Sequence, residues 1–253
     1  MTAILLEAAD IRYRRYGNGQ ARRCLFFIPG FGDSADGFER FIAHALSIGD
    51  KVITIDLPGC GSNADVIVDV ERIPHVIHEI VRREALSANA IAAHSLGGLF
   101  ALRVADQFPD CLIAGLFLIE ATLLEPDHNF FLSLDITCAD PVKKYAAALN
   151  ASVVPVSYLS QYKQNVRSMS REMFTFYTQN VAKNLPLERE RLLSLSMSMM
   201  YLFGSESPAQ AEREALAARP HLVVKRIANS GHWPHINEAD EVLAYWQAFL
   251  ASV

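Results

Sequence analysis

The chain has 253 residues, 51% hydrophobic and 20% charged, with 23 Lys and Arg against 28 Asp and Glu and a formal net charge of −5. A chain this apolar buries a large core, which excludes intrinsic disorder; at roughly 150 residues per domain it makes one large domain or one domain with an insertion. The acidic balance offers nothing to a phosphate backbone, so no nucleic-acid partner is expected. No hydrophobic run reaches the ~18–20 residues that span a bilayer, so no membrane partner is expected either.

The start, Met1-Thr2-Ala3, passes directly into a strand-like run with no charged leader or cleavage site. Cys24, Cys60, Cys111 and Cys138 are scattered, with no C-x-x-C pair. Both features predict a cytoplasmic protein with reduced thiols rather than a disulfide frame or a zinc site.

In chain order, residues 3–16 predict an antiparallel edge hairpin, with Arg12, Arg14, Arg15, Arg22 and Arg23 on its solvated side. Unbroken apolar runs follow at 24–28, 51–56, 89–93, 112–119, 199–203 and 222–227. Runs of five to eight such residues suit strands buried on both faces of a parallel sheet. Between them, 34–46, 68–84, 96–108, 206–218 and 239–250 have helical patterns, and Ser34 is placed to cap the first. The alternation predicts an α/β fold, a mostly parallel central sheet flanked by helices.

One segment breaks the rhythm. Residues 122–194 contain no convincing strand but carry amphipathic stretches rich in aromatic residues, among them Phe130, Phe131, Tyr145, Tyr158, Tyr162, Phe174, Phe176 and Tyr177. A structureless loop of that length is improbable in a compact domain. The expectation is a helical lid inserted between strands 6 and 7, over a core made of 1–121 and 195–253; an ordinary helical layer on the sheet face is the alternative.

The strongest chemical signal is Ala93-His94-Ser95-Leu96-Gly97-Gly98, between an apolar run and a helical one. A serine on a sharp strand-to-helix turn presents its hydroxyl above the carboxyl edge of the sheet. Small residues two before and two after, here Ala93 and Gly97, let the two backbones approach. The helix then directs its first amides at the place where an oxyanion would form. His94, beside Ser95, reads as a structural neighbour, because adjacent side chains at such a turn point apart.

With these residues the chain resembles the α/β-hydrolase fold superfamily, and more narrowly its small lid-bearing esterases, thioesterases, lactonases and carbon–carbon bond hydrolases. The resemblance covers nearly the whole chain and is weakest across 122–194. It implies that the backbone N–H groups of Phe31, in Pro29-Gly30-Phe31-Gly32, and of Leu96 form the oxyanion hole. Pro29 stands where the family usually has histidine. Asp56-Leu57-Pro58-Gly59-Cys60-Gly61-Ser62 matches a structural family loop and gives Cys60 no catalytic role. The family's base corresponds to His232 in Ser230-Gly231-His232-Trp233-Pro234-His235, and its order Ser…Asp/Glu…His is kept. His235 reads as a packing or hydrogen-bonding residue under that loop.

The acid departs from the family pattern. Most members carry an aspartate three residues beyond a glycine after the next-to-last strand, where this chain has Ser207. Two carboxylates stand as candidates: Glu120, ending the run 116–119 as in the minority of the superfamily that includes some haloalkane dehalogenases, and Glu206, one residue early in the usual loop. A water-mediated or absent acid is the third possibility. The resemblance implies acyl transfer to water from a small, largely apolar ester or thioester substrate, with no metal and no organic cofactor. The alternatives are lactone or carbon–carbon bond hydrolysis, or a non-catalytic ligand-binding member. Oligomeric state is not legible.

Overall fold

The computed structural model describes residues 3–17, 21–85, 88–151 and 154–253. Met1 and Thr2, part of the start expected to lack a targeting segment, lie outside the described residues. Among the described residues eight strands form one sheet: β1 (Ile4–Ala8), β2 (Ile11–Tyr16), β3 (Arg23–Ile28), β4 (Lys51–Thr54), β5 (Ala88–His94), β6 (Gly115–Ile119), β7 (Ser198–Gly204) and β8 (Leu222–Ile227). Their order is β1-β2-β4-β3-β5-β6-β7-β8, with β2 antiparallel to both neighbours and every other pairing parallel from β4 onward. The central strands are buried on both faces, as their unbroken apolar runs require.

The helices are α1 (Glu39–Ser47), α2 (Ile73–Glu84), α3 (Leu96–Gln107), α4 (Glu125–Ser133), α5 (Pro141–Ala148), α6 (Val156–Ser168), α7 (Arg171–Ser194), α8 (Gln210–Ala215), α9 (Pro234–Asn237) and α10 (Ala239–Leu250). On one face α1 and α10 bury Phe41, Trp246 and Phe249 against Phe27 and Phe117 of the sheet. On the other, α2 and α3 pack against Phe26, Ile53, Ile91 and Leu116. The segment between β6 and β7 contains α4 to α7. Its last helix is pinned to α3 by the buried Arg103–Glu188 ion pair, at 2.8 Å.

Several boundaries differ from the sequence reading, each for a local reason. The run 112–119 enters the sheet only at Gly115, because Cys111 to Ile113 make a tight turn that leaves Leu112 61% exposed. The helix expected from 206 starts at Gln210, after Pro208 and a left-handed Ala209 at φ 57°. The helix expected from 68 starts at Ile73 after a 3-10 turn over Val70–Arg72. Ser34 precedes a 3-10 turn rather than an α-helix and makes no side-chain cap; its hydroxyl donates to Asp36 Oδ2 at 3.1 Å. The early arginines are not simply solvated. Arg14 pairs with Asp56, Arg15 with Glu84 and Arg23, which opens β3, with Asp50.

Candidate active site

The β5–α3 turn puts Ser95 at φ 51°, ψ −120°, a conformation that costs a non-glycine residue on the order of 1–3 kcal/mol. It persists because the backbone is clamped on both sides. Ser95 N–H donates to Ile119 O at 2.9 Å, and Ser95 O accepts from Thr122 N–H at 3.1 Å. The glycines answer to crowding: a Cβ on Gly97 would lie 2.5 Å from Pro29 O and closer still to Ile28 O, and one on Gly98 would lie 2.5 Å from the Ala121 methyl.

The structure brings His232 to Ser95, across 137 positions of chain. Its Nε2 lies 2.9 Å from Ser95 Oγ. On its other side, His232 Nδ1 lies 3.5 Å from Oε2 of Glu120. That is an ion-pair distance, longer than a good hydrogen bond, and such contacts often tighten only when the imidazole becomes charged.

Glu120, the residue directly after β6, lies at φ 46°, a left-handed conformation beside that of Ser95. Its Oε1 accepts from Gly204 N–H and from Ser207 Oγ–H, both at 2.6 Å. Arg213 Nη1 stands 3.4 Å from Oε2. Burial pushes the carboxyl up, but His232, Arg213 and the Ser207 hydroxyl outweigh it and hold Glu120 below the ordinary glutamate value. Glu206 behaves otherwise. It is exposed at the cavity rim, and among the described residues its carboxylate makes no hydrogen bond or ion pair.

The Phe31 and Leu96 backbone N–H groups have no acceptor among the described residues. Their loops meet at the serine: a Cβ on Gly30 would fall 2.9 Å from Ser95 Cβ. The Phe31 ring is held among aromatic residues of 122–194, with Phe174 at 5.2 Å and Phe131 at 5.3 Å between centroids. Helix α6 grips the same loop. Tyr162 donates to Phe31 O at 2.9 Å, Tyr158 to Asp33 Oδ1 at 2.7 Å, and Asn165 to Ser34 Oγ at 3.1 Å.

These groups face a cavity of about 330 Å³, walled also by Pro126, Phe130, Tyr145 and Trp233. Sequence reasoning missed several of its residues. Thr122 Oγ1 lies 3.5 Å from Ser95 Oγ. The Asp33 carboxyl is pushed up to about 6 by burial, against the pull of its Tyr158, Ser34 and Asn165 donors. Burial likewise raises Asp127, though Arg213 and two backbone N–H groups pull it down. Only Asp33 had a sequence signal, as a carboxylate two residues past Phe31.

The neighbouring histidines sit under the site. His94 Nε2 lies 2.8 Å from the His232 carbonyl, which only accepts, so that nitrogen carries the proton. Burial, with His235 and His232 nearby, keeps His94 well below the usual histidine value and so neutral. His235 is buried and stacked on Phe38, and burial depresses it to about 3. Cys60 is buried, its thiol pushed up to about 12 by burial.

A family model for the alpha/beta hydrolase family matches residues 25–245. This chain belongs to that family. It is a hydrolase. Among similar proteins, a pimeloyl-[acyl-carrier protein] methyl ester esterase from Xylella fastidiosa is 27% identical over 220 residues, 79% of this hydrolase and 84% of the relative. A structure from work on carboxylesterases of the thaumarchaeon Nitrososphaera gargenis superposes with a TM-score of 0.77 at 17% identity, covering 98% of both chains. MenH from S. aureus superposes at 0.73 with 22% identity, over 95% of this chain and 98% of that one. At these identities the superpositions speak for the fold alone. Among the described residues no helix is long and apolar enough to cross a membrane.

Proposed function

We propose that this hydrolase is a serine esterase that cleaves a carboxylic ester or thioester of a small, largely apolar substrate through an acyl-enzyme on Ser95. The observation that carries the reading is the 2.9 Å approach of His232 Nε2 to Ser95 Oγ at the floor of a 330 Å³ cavity. The esterase names among the relatives support the reaction class.

In this reading Ser95 Oγ attacks the substrate carbonyl carbon as His232 Nε2 takes its proton. Negative charge then develops on the carbonyl oxygen, where the Phe31 and Leu96 N–H groups stabilise it, each worth roughly 10²–10³ in rate. Glu120 remains ionised and stabilises the imidazolium through Nδ1. The imidazolium returns the proton to the departing alcohol or thiol. A water, deprotonated by His232, then attacks the acyl carbon and releases the acid and free Ser95. Segment 122–194 acts as a lid whose aromatic side chains roof the acyl site.

The test is an activity panel of p-nitrophenyl esters of graded chain length, acyl thioesters and lactones on wild type and Ser95→Ala, with fluorophosphonate labelling of both. Turnover and labelling in wild type, both absent in Ser95→Ala, are expected. An unlabelled wild type would mean a ligand-binding protein instead.

A further inference from the structure

The cavity wall is richer in negative than in positive charge. Asp33, Glu120, Asp127 and Glu206 all contribute to it, against one guanidinium among the described residues, that of Arg213. An arginine on a substrate cavity is ordinarily an anchor for a carboxylate, because its fork of donors grips such a group in two places. Here the fork is already occupied. Nε donates to Pro208 O at 2.9 Å and Nη1 to the Tyr201 hydroxyl; Nη1 also lies 3.4 Å from Glu120 Oε2, and Nη2 lies 3.5 Å from Asp127 Oδ1. The side chain is 1% exposed.

The Asp127 side chain is held in place by backbone donors of the residues before α4. Its Oδ2 accepts from the N–H groups of Leu123 and Leu124 at 2.8 and 2.9 Å, at the start of α4, leaving Oδ1 beside the guanidinium. An anionic group entering the cavity would lose its hydration, meet several carboxyl groups and find, among the described residues of the wall, no free cation to compensate.

We propose that Asp127 is a specificity-determining residue that masks Arg213, so that the site accepts uncharged acyl groups and rejects those ending in a carboxylate. The inference rests on the esterase reading above and adds the charge class of the substrate. It also singles out Asp127→Asn: an amide oxygen can still accept the two backbone N–H groups, while the negative charge beside Arg213 is gone.

The experiment compares p-nitrophenyl hexanoate with the mono-p-nitrophenyl ester of adipate, which differ at the far end by a methyl against a carboxylate. In wild type, kcat/KM for the neutral ester should exceed that for the anionic one by about 100-fold or more. Asp127→Asn should raise the anionic-to-neutral ratio about tenfold or more, and adding Arg213→Met should abolish that gain. A wild-type ratio near one, or a ratio unmoved by Asp127→Asn, overturns the proposal. If no ester is turned over, the esterase reading fails on its own. The charge rule is then read from calorimetric binding of hexanamide against adipamate to Ser95→Ala and to Ser95→Ala/Asp127→Asn, with the same two ratios deciding it.

Discussion

Ser207 donates its hydroxyl to Oε1 of Glu120 over 2.6 Å. The loop position that most of the superfamily gives to its acid therefore serves, in this chain, as a donor to a carboxylate that arrives from the neighbouring strand. Gly204 N–H holds the same oxygen, so the other one is left to face His232.

Glu120→Gln should lower kcat for an activated aryl ester by about 10²–10⁴, since an amide cannot stabilise the imidazolium. Glu206→Gln, an exposed change, should stay within about twofold. Because positions 120 and 207 share one site, Glu120→Gln/Ser207→Asp should recover about tenfold or more over Glu120→Gln alone. Steady-state kinetics on the four proteins checks this; equal, small effects of both glutamine variants would remove Glu120 from the mechanism.

Asp33 gives a prediction about stability and pH. Its folded-state value of about 6 lies above the ordinary 3.8, so between those values the folded state binds more protons than the unfolded one. Stability from this group is present below pH 4 and is lost as pH rises toward and through 6. Asp33→Asn removes the titration while keeping an oxygen for the Tyr158 hydroxyl. The Tm of Asp33→Asn minus that of wild type should therefore grow from pH 4 to pH 7, as read by thermal melts. A constant difference would mean that Asp33 is not held protonated by its burial.

The serine turn leaves no room at position 97. A methyl there would strike the Ile28 and Pro29 carbonyl oxygens, backbone atoms that cannot swing aside. Gly97→Ala should cost about 1–3 kcal/mol in urea unfolding and displace the Phe31 loop from Ser95, with loss of fluorophosphonate labelling. Wild-type labelling in a well-folded variant would contradict the crowding described here.

Arg103 and Glu188 pair with side chains 1% and 0% exposed, and Arg191 adds a second cation to Glu188 at 2.8 Å. Removing one partner strands a buried charge, so Glu188→Leu should cost about 3–5 kcal/mol. Arg103→Met/Glu188→Leu should regain most of that loss, because two apolar side chains can fill the same space. Denaturant melts of wild type, both single variants (Glu188→Leu and Arg103→Met) and the double variant give the coupling directly.

Local information determined a good deal on its own. The five- to eight-residue apolar runs announce buried parallel strands, and Ser95 between Ala93 and Gly97 announces a turn whose backbone needs small neighbours. Those signals lie within a few residues of one another, where periodicity and steric demand are written into adjacent side chains. The tertiary structure decided what distance in the chain conceals. It put Glu120 rather than Glu206 beside His232, turned Ser207 from an empty acid slot into a donor, and set Asp127 against Arg213. Each of those pairings joins residues some 80 or more positions apart, carried by different strand ends, loops and helices. Which partners meet there depends on how β6, β7 and the α4–α7 segment stack, and a carboxylate's sequence neighbours carry no record of that stacking.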